Sequence, residues 1–191
     1  MKPVNVAADL KGLWAAIPTP FTKEGKMTLD PLKKNVESYA AIPMDGVYTT
    51  DSDGEFYALE IDDFKALVKG FAKAMEPTSM AAAIGVTWSH TQGIIDRIKI
   101  CIDHGIPAVH VAFPYWMPMT LGDMFHFWDD LAKAAPAARW IHYNTGRSHL
   151  VLKGRDYARI VKDHPEQMIS TKQNVVDIVT IADCIQATPE V

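Results

Sequence analysis

Short apolar runs recur along the chain at Leu13–Ile17, Gly46–Thr50, Met80–Gly85, Ala108–Phe113, Trp140–Tyr143 and Met168–Lys172. Each is followed by a stretch in which apolar residues return every three or four positions, the period of a helix with one buried face. After the first run, Thr28 or Asp30 can cap a helix, with Pro31 early in it, where its missing N–H removes no bond. Leu32, Val36 and Tyr39 mark the buried stripe of that helix. Asp62 and Asp63 precede the next, marked by Phe64, Leu67, Val68 and Phe71. Ser89 is the expected cap of a third, with Ile94, Ile95, Ile98 and Ile102 inward and Gly105 as its stop. Phe125, Trp128 and Leu131 line a fourth across Leu121–Ala134, and Tyr157, Ile160 and Val161 a fifth. Val176, Ile178, Val179 and Ile181 line a sixth.

Strands and helices alternating every ~30 residues predict βαβ units, because parallel strands need a crossover too long for a tight turn. An open doubly wound sheet would carry a Gly-rich first turn, and Pro18-Thr19-Pro20-Phe21 is not one. Polar residues instead fall at the C-terminal ends of several strands, as in barrel enzymes. The expected fold is therefore α/β, of the (β/α)8 TIM-barrel type, with six units visible. Residues 1–11 are expected as an N-terminal extension and 12–191 as the barrel domain. A full barrel takes about 250 residues and eight units, so the chain reads as two units short.

Composition narrows the function classes. The chain has 191 residues, 48% of them hydrophobic and 22% charged, an ordinary globular balance long enough for a sizeable core. A net charge of -4 and no dense Lys/Arg stripe leave no footprint for nucleic acid. No apolar run reaches membrane-span length and Met1–Leu10 lacks a signal-peptide pattern, so a cytoplasmic location is expected. Cys101 and Cys184 have no metal-ligand spacing and read as reduced core thiols. His104, His110, His126, His142, His149 and His164 form no helix-spaced pair beside a carboxylate, which argues against zinc. Strand alternation turns His142 away from Tyr143, toward the helix layer.

Lys172 and Tyr143 close two successive strand candidates. A lysine amine in a poorly solvated place loses pKa and becomes a nucleophile that forms imines with carbonyls. A neighbouring phenol can move protons to and from such an imine. The plainer reading is a lysine reaching solvent and a tyrosine satisfied at the barrel rim. Asp51, Asp53 and Glu55 read equally well as a solvated acidic turn. Thr49, Asp51, Asp53, Gly54 and Glu60 also follow a calcium-loop spacing, but after a strand where such a loop needs a helix.

Together these motifs resemble the dihydrodipicolinate synthase / N-acetylneuraminate lyase family of imine-forming class I aldolases. The resemblance runs from Gly12 to the end of the chain. Pro18-Thr19-Pro20-Phe21 stands at the family's opening strand end, and Asp51-Ser52-Asp53-Gly54-Glu55 in place of its Gly-Thr-Thr-Gly-Glu loop. Phe113-Pro114-Tyr115-Trp116 stands where the family has Pro-Tyr-Tyr, Tyr143-Asn144 resembles its Tyr-Asn-Val-Pro, and Lys172 falls at the imine-forming lysine. The resemblance implies a lyase or aldolase acting on pyruvate or a larger 2-keto acid, with no metal or organic cofactor. Lys172 would form the imine and Tyr143 shuttle protons. Ser52 would relay protons or bind the keto acid's carboxylate with backbone N–H groups of Ser52–Gly54. Asp53, Gly54, Tyr115, Trp116 and Arg147 would line the substrate site, Arg147 toward a carboxylate of the second substrate. A homo-oligomer, dimer or tetramer, is implied as well.

The departures are specific. Asp53 would repel a substrate carboxylate where the family places a threonine. Trp116 replaces a tyrosine of the synthase branch, and an indole donates a proton bond but cannot relay a proton. A tryptophan there resembles the hydratase-aldolases of aromatic 2-keto acids. The last two family units, with their Gly-rich substrate strand, do not appear. A catalytically impaired member or fragment serving as a binding or oligomerisation module is thus the alternative, since exposed parallel edges invite association. Trp116, Met117 and Met119 read as a substrate-facing apolar rim or an oligomer contact, an exposed Tyr-Trp-Met-Pro-Met loop being hard to justify on a monomer. A metal-dependent aldolase on Asp51, Asp53 and Glu55 is a third, weaker reading.

Overall fold

The structure is a computed structural model and describes residues 1–174 and 177–191. Among the described residues, six parallel strands pair in chain order: β1 (Trp14–Ile17), β2 (Gly46–Thr49), β3 (Ala81–Gly85), β4 (Ala108–Val111), β5 (Arg139–Asn144) and β6 (Met168–Gln173). Between and after them run α1 (Leu32–Ala40), α2 (Ile61–Met75), α3 (Thr91–Asp103), α4 (Leu121–Ala134), α5 (Gly154–Asp163) and α6 (Ile178–Ala187). The result is a half-barrel with its helices outside. The expected strands and helices are all present, with ends moved by one or two residues.

Alternation assigns each strand two faces. On β3, β4 and β5, Ala82, Ile84, Val109, Val111 and Trp140 join the outer core beneath the helices. Their neighbours Ala81, Ala83, Ala108 and Ile141 form a smaller inner core with Val4 and Ile169. The outer core is the stronger one. Phe64, Leu67, Val68, Phe71 and Met75 of α2 are buried in it, each worth roughly 1.5–3 kcal/mol. The N-terminal segment plugs the inner face from below: the Lys2 N–H donates to the Met80 carbonyl at 2.9 Å and Val4 is buried.

Helix starts depart from expectation. Pro31 itself stands at the N-cap of α1, so neither Thr28 nor Asp30 caps it. His90, not Ser89, precedes α3, and the Ser89 hydroxyl bonds the His90 ring at 3.2 Å. Gly105 stops α3 as expected, at φ +75, a conformation a side chain would resist. Cys101 and Cys184 are free and buried. The largest departure is α6. Ile178 and Val179 are 73% and 71% exposed, and Cys184 is the buried residue of this helix. Val176, expected in the same stripe, lies outside the described residues. Gly154 lets α5 press on α6, where a Cβ would meet the Asp183 carbonyl.

One irregularity positions the candidate chemistry. Trp140 pairs with Met168, but Ile141 pairs with Ser170, so Ile169 is an extra residue in β6. Met168 faces the outer core while Ile169 joins the inner one. Strict alternation from Met168 would send Lys172 outward under the helices. The bulge resets the parity and turns Lys172, paired with Tyr143, inward.

Candidate active site

The site begins where β2 ends. Thr50 adopts φ +62, a strained conformation for a β-branched residue. Its hydroxyl, with one proton to donate, stands 2.6 Å from the carbonyl oxygens of both Gly85 and Thr49 and so ties the turn to β3. Gly85 is required there, since a Cβ would fall 2.5 Å from the Thr50 carbonyl oxygen and 2.7 Å from Asp51 Oδ1. The turn drives Asp51 inward until it is 2% exposed. Its Oδ2 accepts from His110 Nδ1 on β4 at 2.7 Å and from Lys172 Nζ on β6 at 2.8 Å.

Burial alone would raise the Asp51 pKa, but His110 and Lys172 outweigh it and hold the carboxyl below its usual value. Burial likewise works to lower the Lys172 pKa, and the Asp51 carboxylate overcomes it, so the net shift is upward. This corrects the expectation of a depressed lysine: at rest Lys172 is an ammonium in an ion pair. A carboxylate accepting from His110 Nδ1 also fixes the histidine's Nδ1–H form. Aromatic rings complete the surround, with Nζ 4.2 Å from the Tyr143 ring centroid and 4.6 Å from that of Tyr48.

Above this layer lies a cleft of about 410 Å³, bordered by Asp51, Ser52, Tyr115, Tyr143, Thr145, Arg147 and Ser148. Buried Asn144 fixes one wall. Its side chain donates to the Leu152 carbonyl and accepts from the Leu152 N–H, each at 3.0 Å, tying down the loop that carries Arg147. Thr87 fixes another by accepting from the Ala112 N–H at 3.0 Å. Phe56, Tyr57 and Tyr115 supply aromatic surface; Phe56 and Tyr115 meet edge to face at 5.7 Å. Lys172 opens on a second cavity of about 300 Å³ on the inner face, with Trp14, Tyr48 and His110. Asp51 and Tyr143 touch Lys172 and border the cleft, so they form the partition between the two.

Of the residues expected at the site, Lys172 and Tyr143 adjoin, and Ser52, Tyr115 and Arg147 border the cleft. The Tyr143 hydroxyl accepts from Asn174 Nδ2 at 3.2 Å. Asp53 is exposed on the short 3-10 turn Ser52–Gly54, outside the cleft lining. Gly54 is buried behind it with its N–H spent on the Asp51 carbonyl at 3.0 Å and its carbonyl on the Thr19 hydroxyl at 2.6 Å. That N–H is therefore not free to bind a carboxylate. Trp116 is 80% exposed and lies outside the cleft lining. The acidic turn does not act as a unit: Asp51 is buried in an ion pair while Asp53 and Glu55 face solvent. Among the described residues, no three His, Cys, Asp or Glu side chains group as metal ligands. Likewise no described helix is long and apolar enough to cross a membrane.

Sequence reading did not join Asp51 and His110 to Lys172, and it gave His110 and Tyr48 no place in the site. The signal for His110 was present. It is the polar residue between Val109 and Val111, opposite in face to both.

The structure is thus a half-barrel of the TIM-barrel type with a lysine, a tyrosine and a buried carboxylate gathered at its strand ends. The chain belongs to the dihydrodipicolinate synthetase family, whose model matches residues 9–190. It is 25% identical over 139 residues to the trans-O-hydroxybenzylidenepyruvate hydratase-aldolase of Pseudomonas aeruginosa, covering 69% of this chain and 41% of that protein. The Pseudomonas putida enzyme of the same name matches equally, at 42% of its length. Among solved structures, a prophage protein of the dihydrodipicolinic acid synthase family from E. coli K12, in complex with pyruvate, superposes with a TM-score of 0.88 at 16% identity. That match covers 95% of this chain and 61% of the other. Proteus mirabilis N-acetylneuraminate lyase gives 0.86 at 19% identity, over 95% and 61%. The chain thus spans about two fifths of the curated relatives and three fifths of the solved ones.

Proposed function

We propose that this chain carries the active-site half of an imine-forming lyase or aldolase acting on pyruvate or a larger 2-keto acid. The observation that carries the reading is Lys172 Nζ, half-buried and paired with Asp51 beside Tyr143, the two residues that divide it from the cleft presenting Arg147. The amine attacks the ketone, and loss of water leaves a protonated imine that draws electrons from the α-carbon. An α-proton then leaves to give an enamine, which adds to an aldehyde; in reverse, a carbon–carbon bond breaks. Tyr143 is the shuttle for these protons and Ser52 a relay or carboxylate ligand. Arg147 pairs with a substrate carboxylate, for which its planar fork is suited. The aromatic lining from Phe56, Tyr57 and Tyr115 suits an extended or aromatic 2-keto acid, in keeping with the hydratase-aldolase relatives.

We further propose a cytoplasmic homo-oligomer, dimer or tetramer. Exposed Trp116 and Met117 and the bare apolar residues of α6 support contacts with another copy. One observation favours the alternative of a binding module: Lys172 opens on the inner cavity and is screened from the cleft by Asp51 and Tyr143. Incubation with pyruvate and several larger 2-keto acids under borohydride separates the two. The lyase reading expects a reduced adduct that Lys172→Ala abolishes with the fold intact; no adduct with any of them supports the binding module.

A further inference from the structure

We infer that Asp51, held by His110, is the proton acceptor that frees the Lys172 amine and the counter-ion that retains the resulting iminium. The inference rests on the imine reading above and names the group that performs its first steps. Geometry supplies the argument. Asp51 Oδ2 lies 2.8 Å from Nζ, at direct transfer distance, while the Tyr143 hydroxyl is engaged by Asn174. The carboxylate is not placed by chance. A left-handed Thr50, its hydroxyl anchored toward the Gly85 carbonyl and the missing Cβ of Gly85 force it inward, and His110 Nδ1 fixes its reacting oxygen. Such a strained and buried arrangement is unnecessary for a surface ion pair.

The proton balance closes on this one carboxylate. The ammonium gives a proton to Asp51, and the freed electron pair bonds to the ketone carbon as its π electrons move to oxygen. Asp51 returns that proton to the oxygen, then takes a second from nitrogen and passes it to the hydroxyl, which leaves as water. Nitrogen began with three protons and ends with one. The iminium then faces a regenerated carboxylate, and His110 acts as a positioning residue throughout. The titratable groups facing Lys172 are Tyr48 and Asp51 from β2 and its loop, His110 from β4 and Tyr143 from β5. β1 contributes Trp14 to the same cavity, and Gly85 of β3 stands against Asp51; neither titrates.

The test is the rate of borohydride trapping with pyruvate across pH, beside the pH midpoint of Lys172 acetylation. An Asp51 that merely pairs with Lys172 predicts that Asp51→Asn lowers the amine midpoint and speeds trapping, since more free amine exists at neutral pH. An acceptor predicts opposite signs: a lower midpoint with trapping slowed about 100-fold. Trapping by Asp51→Asn at or above the unsubstituted rate overturns the inference and leaves the imine reading standing. No adduct in the unsubstituted protein overturns both. If Asp51→Asn does not fold, His110 reads the same coupling. His110→Ala should slow trapping and shift its pH profile, and His110→Asn, which keeps a donor toward Asp51, should restore both; two variants trapping like the unsubstituted protein would overturn the inference.

Discussion

Two histidines one strand apart show how the two faces of this sheet differ. His142 on β5 faces the helices, wholly buried against Phe113 and Trp128, with Nδ1 bonded to the Tyr157 hydroxyl at 2.7 Å. Burial pushes its pKa down to about 3, so it is a neutral packing element. His110 on β4 faces inward and holds a carboxylate that itself holds a lysine. The same side chain serves stability on one face and candidate chemistry on the other. Around His142 the outer face is filled by large aromatic groups that leave a charge no partner, whereas the inner face has small alanines below and a polar layer above. Structure and site can therefore be perturbed separately.

The largest separation should come from the outer face. Trp140→Ala removes a fully buried indole packed 5.0 Å from the Trp128 ring. It should cost about 3–5 kcal/mol in chemical denaturation. At temperatures where the variant stays folded, Lys172 trapping should be little changed; a selective loss of trapping would break the division between faces.

A second effect follows from His142. Its folded pKa of about 3 lies below the ordinary 6.5, so the unfolded chain binds the extra proton between those values. Its contribution is fully present above pH 6.5 and is lost as pH falls toward 3, at up to about 1.4 kcal/mol per pH unit. Denaturation midpoints measured across that window should flatten in His142→Asn relative to the unsubstituted chain. Equal slopes would show that His142 is not the group responsible. The smallest effect belongs to the exposed loop: Trp116→Ala should change monomer stability by less than about 0.5 kcal/mol. A larger loss that grows with protein concentration would reveal Trp116 as a contact between copies.

Much of this fold was legible in the sequence because period-2 and period-3.6 patterns are local. All six strands and helices follow from them, as does the outward turn of His142. What escaped depends on residues distant in sequence or on a single irregularity. Lys172 and Asp51 are 121 positions apart, and no local pattern joins them. Met168–Lys172 read as one regular strand, yet only the extra residue at Ile169 turns Lys172 inward. The acidic loop read as a uniform turn because composition cannot reveal that Gly85 leaves room for one of its carboxylates alone. The exposed apolar residues of α6 misled for the opposite reason: the apolar positions are real, but among the described residues none covers Ile178 and Val179.

Borohydride reduction in the presence of pyruvate and larger 2-keto acids, followed by peptide mass mapping, reads the proposed chemistry at its first covalent step. The expected result is a reduced adduct on Lys172 alone, lost in Lys172→Ala. An unmodified Lys172 under every keto acid, or labelling spread over surface lysines, would contradict the assignment of this rim as an imine-forming site.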